Sequence, residues 1–144
     1  MLSVIVNSDL LRKRSMSNGY VVSVLWFRNS DPGNALLQWV LLVKPISAEH
    51  GTRHAVSPQY SGIDWTHTSV PNYKLDAEEQ FLGSMSLGSV KDVAAFEAII
   101  TATDMPTLKE TSQDWVRKVV EEAVKKELLP ESALNQLGKV PVHL

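Results

Sequence analysis

Five β-type segments followed by two or three helical ones predict an α+β fold, an antiparallel sheet of about five strands with helices packed on it. Three observations carry that expectation. β-branched and aromatic runs dominate the chain before residue 90, clusters of turn-forming residues separate them, and 3.6-residue periodicity appears only afterwards. At 144 residues, with 44% hydrophobic and 21% charged, the chain is sized for one folded domain. Residues 1–18 resemble an N-terminal extension that ends in "SMSNG", leaving 19–144 as a single α+β domain.

The elements follow in order. "YVVSVLWFR" (Tyr20–Arg28) has no breaker and predicts a first strand. "NSDPGN" (Asn29–Asn34) concentrates turn formers. "ALLQWVLLVKP" (Ala35–Pro45) is almost continuously apolar, the pattern of a strand covered on both faces. A six-residue connection between these two suggests an antiparallel hairpin. "TRHAVS" (Thr52–Ser57), "IDWTHTSV" (Ile63–Val70) and "FLGSMSLGSV" (Phe81–Val90) complete the strands, the last with two glycines that suit a bulge or bend.

Helical spacing then sets in. Val93, Phe96, Ile99 and Ile100 mark a helix ended by Met105-Pro106. Trp115, Val116, Val119, Val120, Ala123 and Val124 form the apolar stripe of a second, with charged residues opposite. Thr111 and Asp114 have the spacing of a capping box at its start. "PESALNQLG" predicts a short third helix between Pro130 and Gly138.

Several function classes lose support on composition alone. A net charge of −2 gives no field for nucleic acid or an anionic membrane, and Arg12-Lys13-Arg14 is too short to change that. Without cysteine there is no disulfide scaffold, thiolate metal site or thiol nucleophile. No run approaches the ~20 apolar residues of a membrane span, and the N-terminal run lacks the form of a secretory signal. A cytoplasmic protein is the resulting expectation. His50, His54, His67 and His143 are scattered, with no HExxH or carboxylate cluster, so neither a metal nor another cofactor is expected. "LGSMSLGSV" lacks the spacing of a phosphate-binding loop and opens no helix.

Ser112 and His54 are the chemically suggestive pair. Ser112 stands at a helix start, where amides and the helix dipole favour an anion, and it precedes Val116 by one turn, leaning toward the buried face. A serine hydroxyl needs an adjacent base to act as a nucleophile, and His54 in a central strand is the candidate. The competing reading is a helix-start serine and a half-buried structural histidine, both common.

Three stretches, "LLQWVLLV", "GTRHAV" and "TSQDWV", are similar in order and spacing to "HWALLV", "G-x-x-Y/H-H-A" and "NC-x-x-WV". This succession resembles a family of small fungal proteins. More remotely, it resembles the circularly permuted papain-like domains of the lecithin:retinol acyltransferase and NlpC type. The resemblance runs from Tyr20 to Leu129 and implies a permuted papain-like fold. It puts Gln38 at the first catalytic histidine, His54 at the second and Ser112 at the nucleophilic cysteine, with Thr111 replacing the preceding asparagine. Glutamine cannot take a proton at neutral pH, and serine ionises far above the cysteine value of ~8.5, so two of the three positions have lost their chemistry.

What survives is a hydrogen-bonding cleft. Gln38, His54 and Ser112 supply its polar groups, and Trp39, Trp65 and Trp115 its apolar walls, unless the tryptophans are ordinary core. Such a cleft suits a small, mostly apolar metabolite and reactions needing shape and modest polarisation. The expectation is a non-hydrolytic cyclase or isomerase, pericyclic reactions included, in fungal secondary metabolism. The alternatives are a serine hydrolase or acyltransferase using Ser112 and His54, and a non-catalytic binding or effector protein.

Overall fold

Strands occupy Tyr20–Phe27 (β1), Gln38–Pro45 (β2), Gly51–Pro58 (β3), Trp65–Tyr73 (β4) and Phe81–Val90 (β5). Helices occupy Val93–Ala102 (α1), Ser112–Lys125 (α2) and Ser132–Leu137 (α3). The structure is a computed structural model that describes residues 19–31, 33–58, 64–75 and 78–144. The expected extension over 1–18, with Arg12-Lys13-Arg14, and the expected fourth-strand start at Ile63 lie outside the described residues. The architecture is the expected α+β one, a five-stranded antiparallel sheet in the order β4-β3-β2-β1-β5 followed by helices.

β2 explains why the sheet has two apolar faces. Its residues Trp39 to Val43 are buried without interruption. Alternate side chains go to opposite sides. Trp39, Leu41 and Val43 join Val22, Val24 and Val56 beneath the helices, packing with Phe96, Ile100, Trp115, Val116, Val119 and Val120. Val40 and Leu42 join Leu25, Phe27 and Ala55 on the reverse face, where Tyr73, Leu75 and Phe81 cover them. Each such fully buried side chain is worth roughly 1.5–3 kcal/mol.

The first hairpin differs from expectation. β2 begins at Gln38 rather than Ala35, because the residues before it pair elsewhere. Leu37 N–H donates to Val142 O (2.9 Å), Leu144 N–H to Ala35 O (2.8 Å), and Leu36 bridges His143. The C-terminal tail thus zips onto the entrance of β2. The turn itself is built from short polar side chains: Asn29 Oδ1 accepts from Asp31 N–H, Asp31 Oδ1 from Gly33 N–H, and Asn34 Oδ1 from Leu36 N–H.

β5 carries the irregularities that its glycines suggested. Its register against β1 shifts between Val22 and Ser23, and again between Trp26 and Phe27. Gly88 at the first shift has φ +141, a conformation that side chains disfavour. Gly83 beside the second lies under the Trp26 indole, where a Cβ would come within 2.4 Å of Cζ2.

Asp92 caps α1 by accepting from Ala95 N–H (3.0 Å). This helix stops at Ala102, ahead of Met105-Pro106, where Thr103 turns extended and its hydroxyl donates back to Ile99 O (2.7 Å). α2 opens with the expected capping box: Thr111 Oγ1 accepts from the first turn, and the Asp114 carboxylate accepts from Thr111 N–H (2.8 Å). No helix among the described residues is long and apolar enough to cross a membrane.

Candidate functional site

The first turn of α2 sits over the start of β2 and is tied to it by two side chains. Ser112 is 5% exposed, and its Oγ accepts a hydrogen bond from Trp39 N–H (3.1 Å). Gln113, 2% exposed, donates from Nε2 to both Leu37 O (2.8 Å) and Val142 O (2.9 Å). It therefore clamps helix, strand entrance and C-terminal tail at one point.

Beside this clamp lies a cavity of about 520 Å³. Thr111 and Ser112 line it from α2, Gln38 from the start of β2, Asn29, Ser30, Asp31 and Asn34 from the turn, and Val56 with Trp65 form an apolar side. The site residues expected from sequence divide here. Gln38, Ser112 and Trp65 share the cavity, whereas His54, Trp39 and Trp115 are not among its lining residues. Trp39 and Trp115 are 1% and 0% exposed and belong to the core beneath the helices. Trp39 Nε1 donates to Pro141 O (2.9 Å), and the Arg117 guanidinium lies over its ring (4.7 Å).

The donors facing the cavity are not all consumed. A serine hydroxyl has one O–H and two lone pairs. Because Ser112 uses a lone pair for Trp39 N–H, its proton remains available to an acceptor in the cavity. The Gln38 side chain makes no hydrogen bond among the described residues. Ser112 stands at the N-terminal end of α2, where the helix dipole favours negative charge, whereas Gln38, paired with Phe27, has the register of the reverse sheet face.

His54 belongs to a neighbouring cluster on the helix-facing side of β3 and β4. It pairs in register with Ser69, and Val56 pairs with His67. His54 Nδ1 lies 3.0 Å from Ser69 Oγ and 3.2 Å from His67 Nε2. Glu97 Oε2 of α1 is 3.6 Å from His54 Nε2, which is buried and has no hydrogen-bond partner. The Asp114 carboxylate does not serve His54, being committed to the α2 cap. Burial, reinforced by the neighbouring His67, lowers the His54 pKa to about 4. Burial also lowers that of His67, whose ring packs 5.6 Å from the Trp115 ring. Both imidazoles are thus held toward the neutral form.

The sequence reasoning missed His67, Ser69, Glu97 and Gln113. Two of these had a signal: in "WTHTS", Trp65, His67 and Ser69 alternate and so share one strand face. Glu97 and Gln113 had none, since each depends on which elements meet. Compared with known proteins, the chain matches no family model, no curated protein and no solved structure.

Proposed function

We propose that the protein is a cofactor-independent cyclase or isomerase acting on a small, mostly apolar carbonyl compound in the cavity lined by Gln38, Trp65 and Ser112. The observation that carries the reading is the unspent proton of the Ser112 hydroxyl, at a helix N-terminus, on a cavity with an apolar side. A cavity of about 520 Å³ lies within the ~300–1,000 Å³ range of small-molecule sites.

The chemistry follows from what those groups can and cannot do. The Ser112 oxygen already accepts from a backbone amide, and the hydrogen bonds of His54 among the described residues run to His67 and Ser69. That arrangement disfavours a Ser112 alkoxide and with it the hydrolase alternative. A hydroxyl donated to a carbonyl oxygen at a helix N-terminus can instead stabilise the negative charge that develops there as the carbon skeleton rearranges. Val56 and Trp65 hold the apolar remainder in a folded conformation. No atom need be gained or lost, so the product has the mass of the substrate. The setting in fungal secondary metabolism, and the permuted papain-like scaffold, rest on the sequence resemblance alone.

The test is incubation of the purified protein with a panel of apolar polyene and terpenoid carbonyl compounds, followed by chromatography and mass spectrometry. A new peak of unchanged mass, lost in Pro58→Trp, which fills the cavity from beside Trp65, is the expected result. Labelling of Ser112 by a fluorophosphonate probe would instead support the hydrolase. Tight binding with no conversion would support the binding protein.

A further inference from the structure

Each edge of the sheet is a strand with one open side, and the two edges are built differently. Among the described residues β4 pairs only with β3, and β5 only with β1. β4 is blunted against further pairing: Pro71 has no N–H to give, and Asn72 turns left-handed at φ 55. β5, from Phe81 to Val90, contains no proline and no charged residue.

The middle of β5 presents its backbone outward. Arg28 N–H donates to Gln80 O, and Ile46 N–H to Gly19 O, so even-numbered residues of β1 bond β5 and odd-numbered ones bond β2. Between its two register shifts β5 runs regularly, and there Ser84 and Ser86 stand opposite Leu25 and Ser23. Their N–H and C=O groups therefore point to the open side, and both residues are exposed. Such outward amides and carbonyls take one class of partner, another extended strand.

The flanks of β5 decide which strand fits. Glu79 precedes it, Lys91 follows it, and both are exposed. Two copies of β5 paired antiparallel about a twofold axis at Met85 set Ser84 of one copy opposite Ser86 of the other. That register matches outward backbone to outward backbone twice. It also brings the acidic end of each strand to the Lys91 end of its partner, while the Asp92 carboxylate is turned to its own helix by accepting from Ala95 N–H. A parallel pairing would set like ends together.

We propose that the open edge of β5 is a dimerisation surface, where a second copy of this chain adds its own β5 antiparallel and joins the two sheets into one. No residue lining the cavity proposed above for catalysis lies on β5, so the two proposals stand or fall separately.

The experiment measures the mass of the full chain by sedimentation equilibrium across a concentration series. A reversible shift toward twice the 16.0 kDa of one chain is expected. Ser86→Pro removes an outward N–H where an edge strand tolerates proline, and it should weaken association by about tenfold or more with circular dichroism unchanged. Glu79→Lys should weaken association roughly fivefold, and the exchange Glu79→Lys/Lys91→Glu should restore it. The charge variants keep the test valid even if the proline variant fails to fold. A chain that stays monomeric throughout, as it would if the edge served another protein's strand, would overturn the proposal. So would a dimer indifferent to both Ser86→Pro and Glu79→Lys.

Discussion

Gln113 does more for this fold than its sequence position advertises. Its side chain carries two hydrogen bonds to carbonyls of two separate segments, Leu37 and Val142, at 2% exposure. Truncation leaves both carbonyls without the donor that satisfies them inside the protein. Leaving a buried polar group unpaired costs ~1–3 kcal/mol, so Gln113→Ala should lose about 2–4 kcal/mol in urea denaturation. Ser112, one position earlier, was legible as a residue on the buried face of the helix start, and it lies there. Its partner was not legible, because Trp39 N–H is 73 positions away. The same limit governs His54: its strand was evident from "TRHAV", but its neighbours are set by cross-strand register and by the docking of α1.

Among the elements, local pattern and tertiary pairing divided the information. β5 was legible end to end, since β-rich residues bounded by turns specify Phe81–Val90 without outside help. The capping box at Thr111 and Asp114 was equally local. β2 was legible as a strand but not in its start, because Ala35–Leu37 is as apolar as the strand and pairs with the C-terminal tail instead. α1 ended early for a similar reason: Thr103 satisfies Ile99 O with its hydroxyl and stops the helix before any proline is needed. Gly83 shows how a close approach hides in a strand. Gly83→Ala would set a methyl 2.4 Å from the Trp26 ring, forcing the indole aside. Overpacking of this kind costs ~1–3 kcal/mol, measurable as a lower melting temperature together with altered Trp26 fluorescence. An unchanged stability would mean that the ring has room to move.

At the scale of the whole molecule, stability should depend on pH through the buried histidine. His54 takes up a proton near 6.5 in the unfolded chain but only near 4 in the fold, because burial and the neighbouring His67 disfavour its charged form. Between those values the unfolded state holds more protons, so its share of the stability is complete above 6.5 and disappears as pH falls through 4. The loss amounts to about 3 kcal/mol at most. Wild type should lose more stability between pH 7 and pH 4 than His54→Gln does. Parallel curves for the two proteins would show that His54 titrates alike in both states.

The α+β layout was legible because strands precede helices and each declares itself by period. The candidate site was only partly legible: Gln38, Trp65 and Ser112 meet in one cavity, while His54 joins residues that sequence spacing had scattered. The central claim is that this cavity rearranges a carbonyl compound through hydrogen bonding rather than covalent attack. The most direct measurement is conversion of such a compound to an isomer of unchanged mass, compared between wild type and Ser112→Ala. The account predicts turnover by wild type that falls at least tenfold in Ser112→Ala, with the folded state intact by circular dichroism. Equal turnover by the two proteins, or a product whose mass shows addition of water, would contradict it.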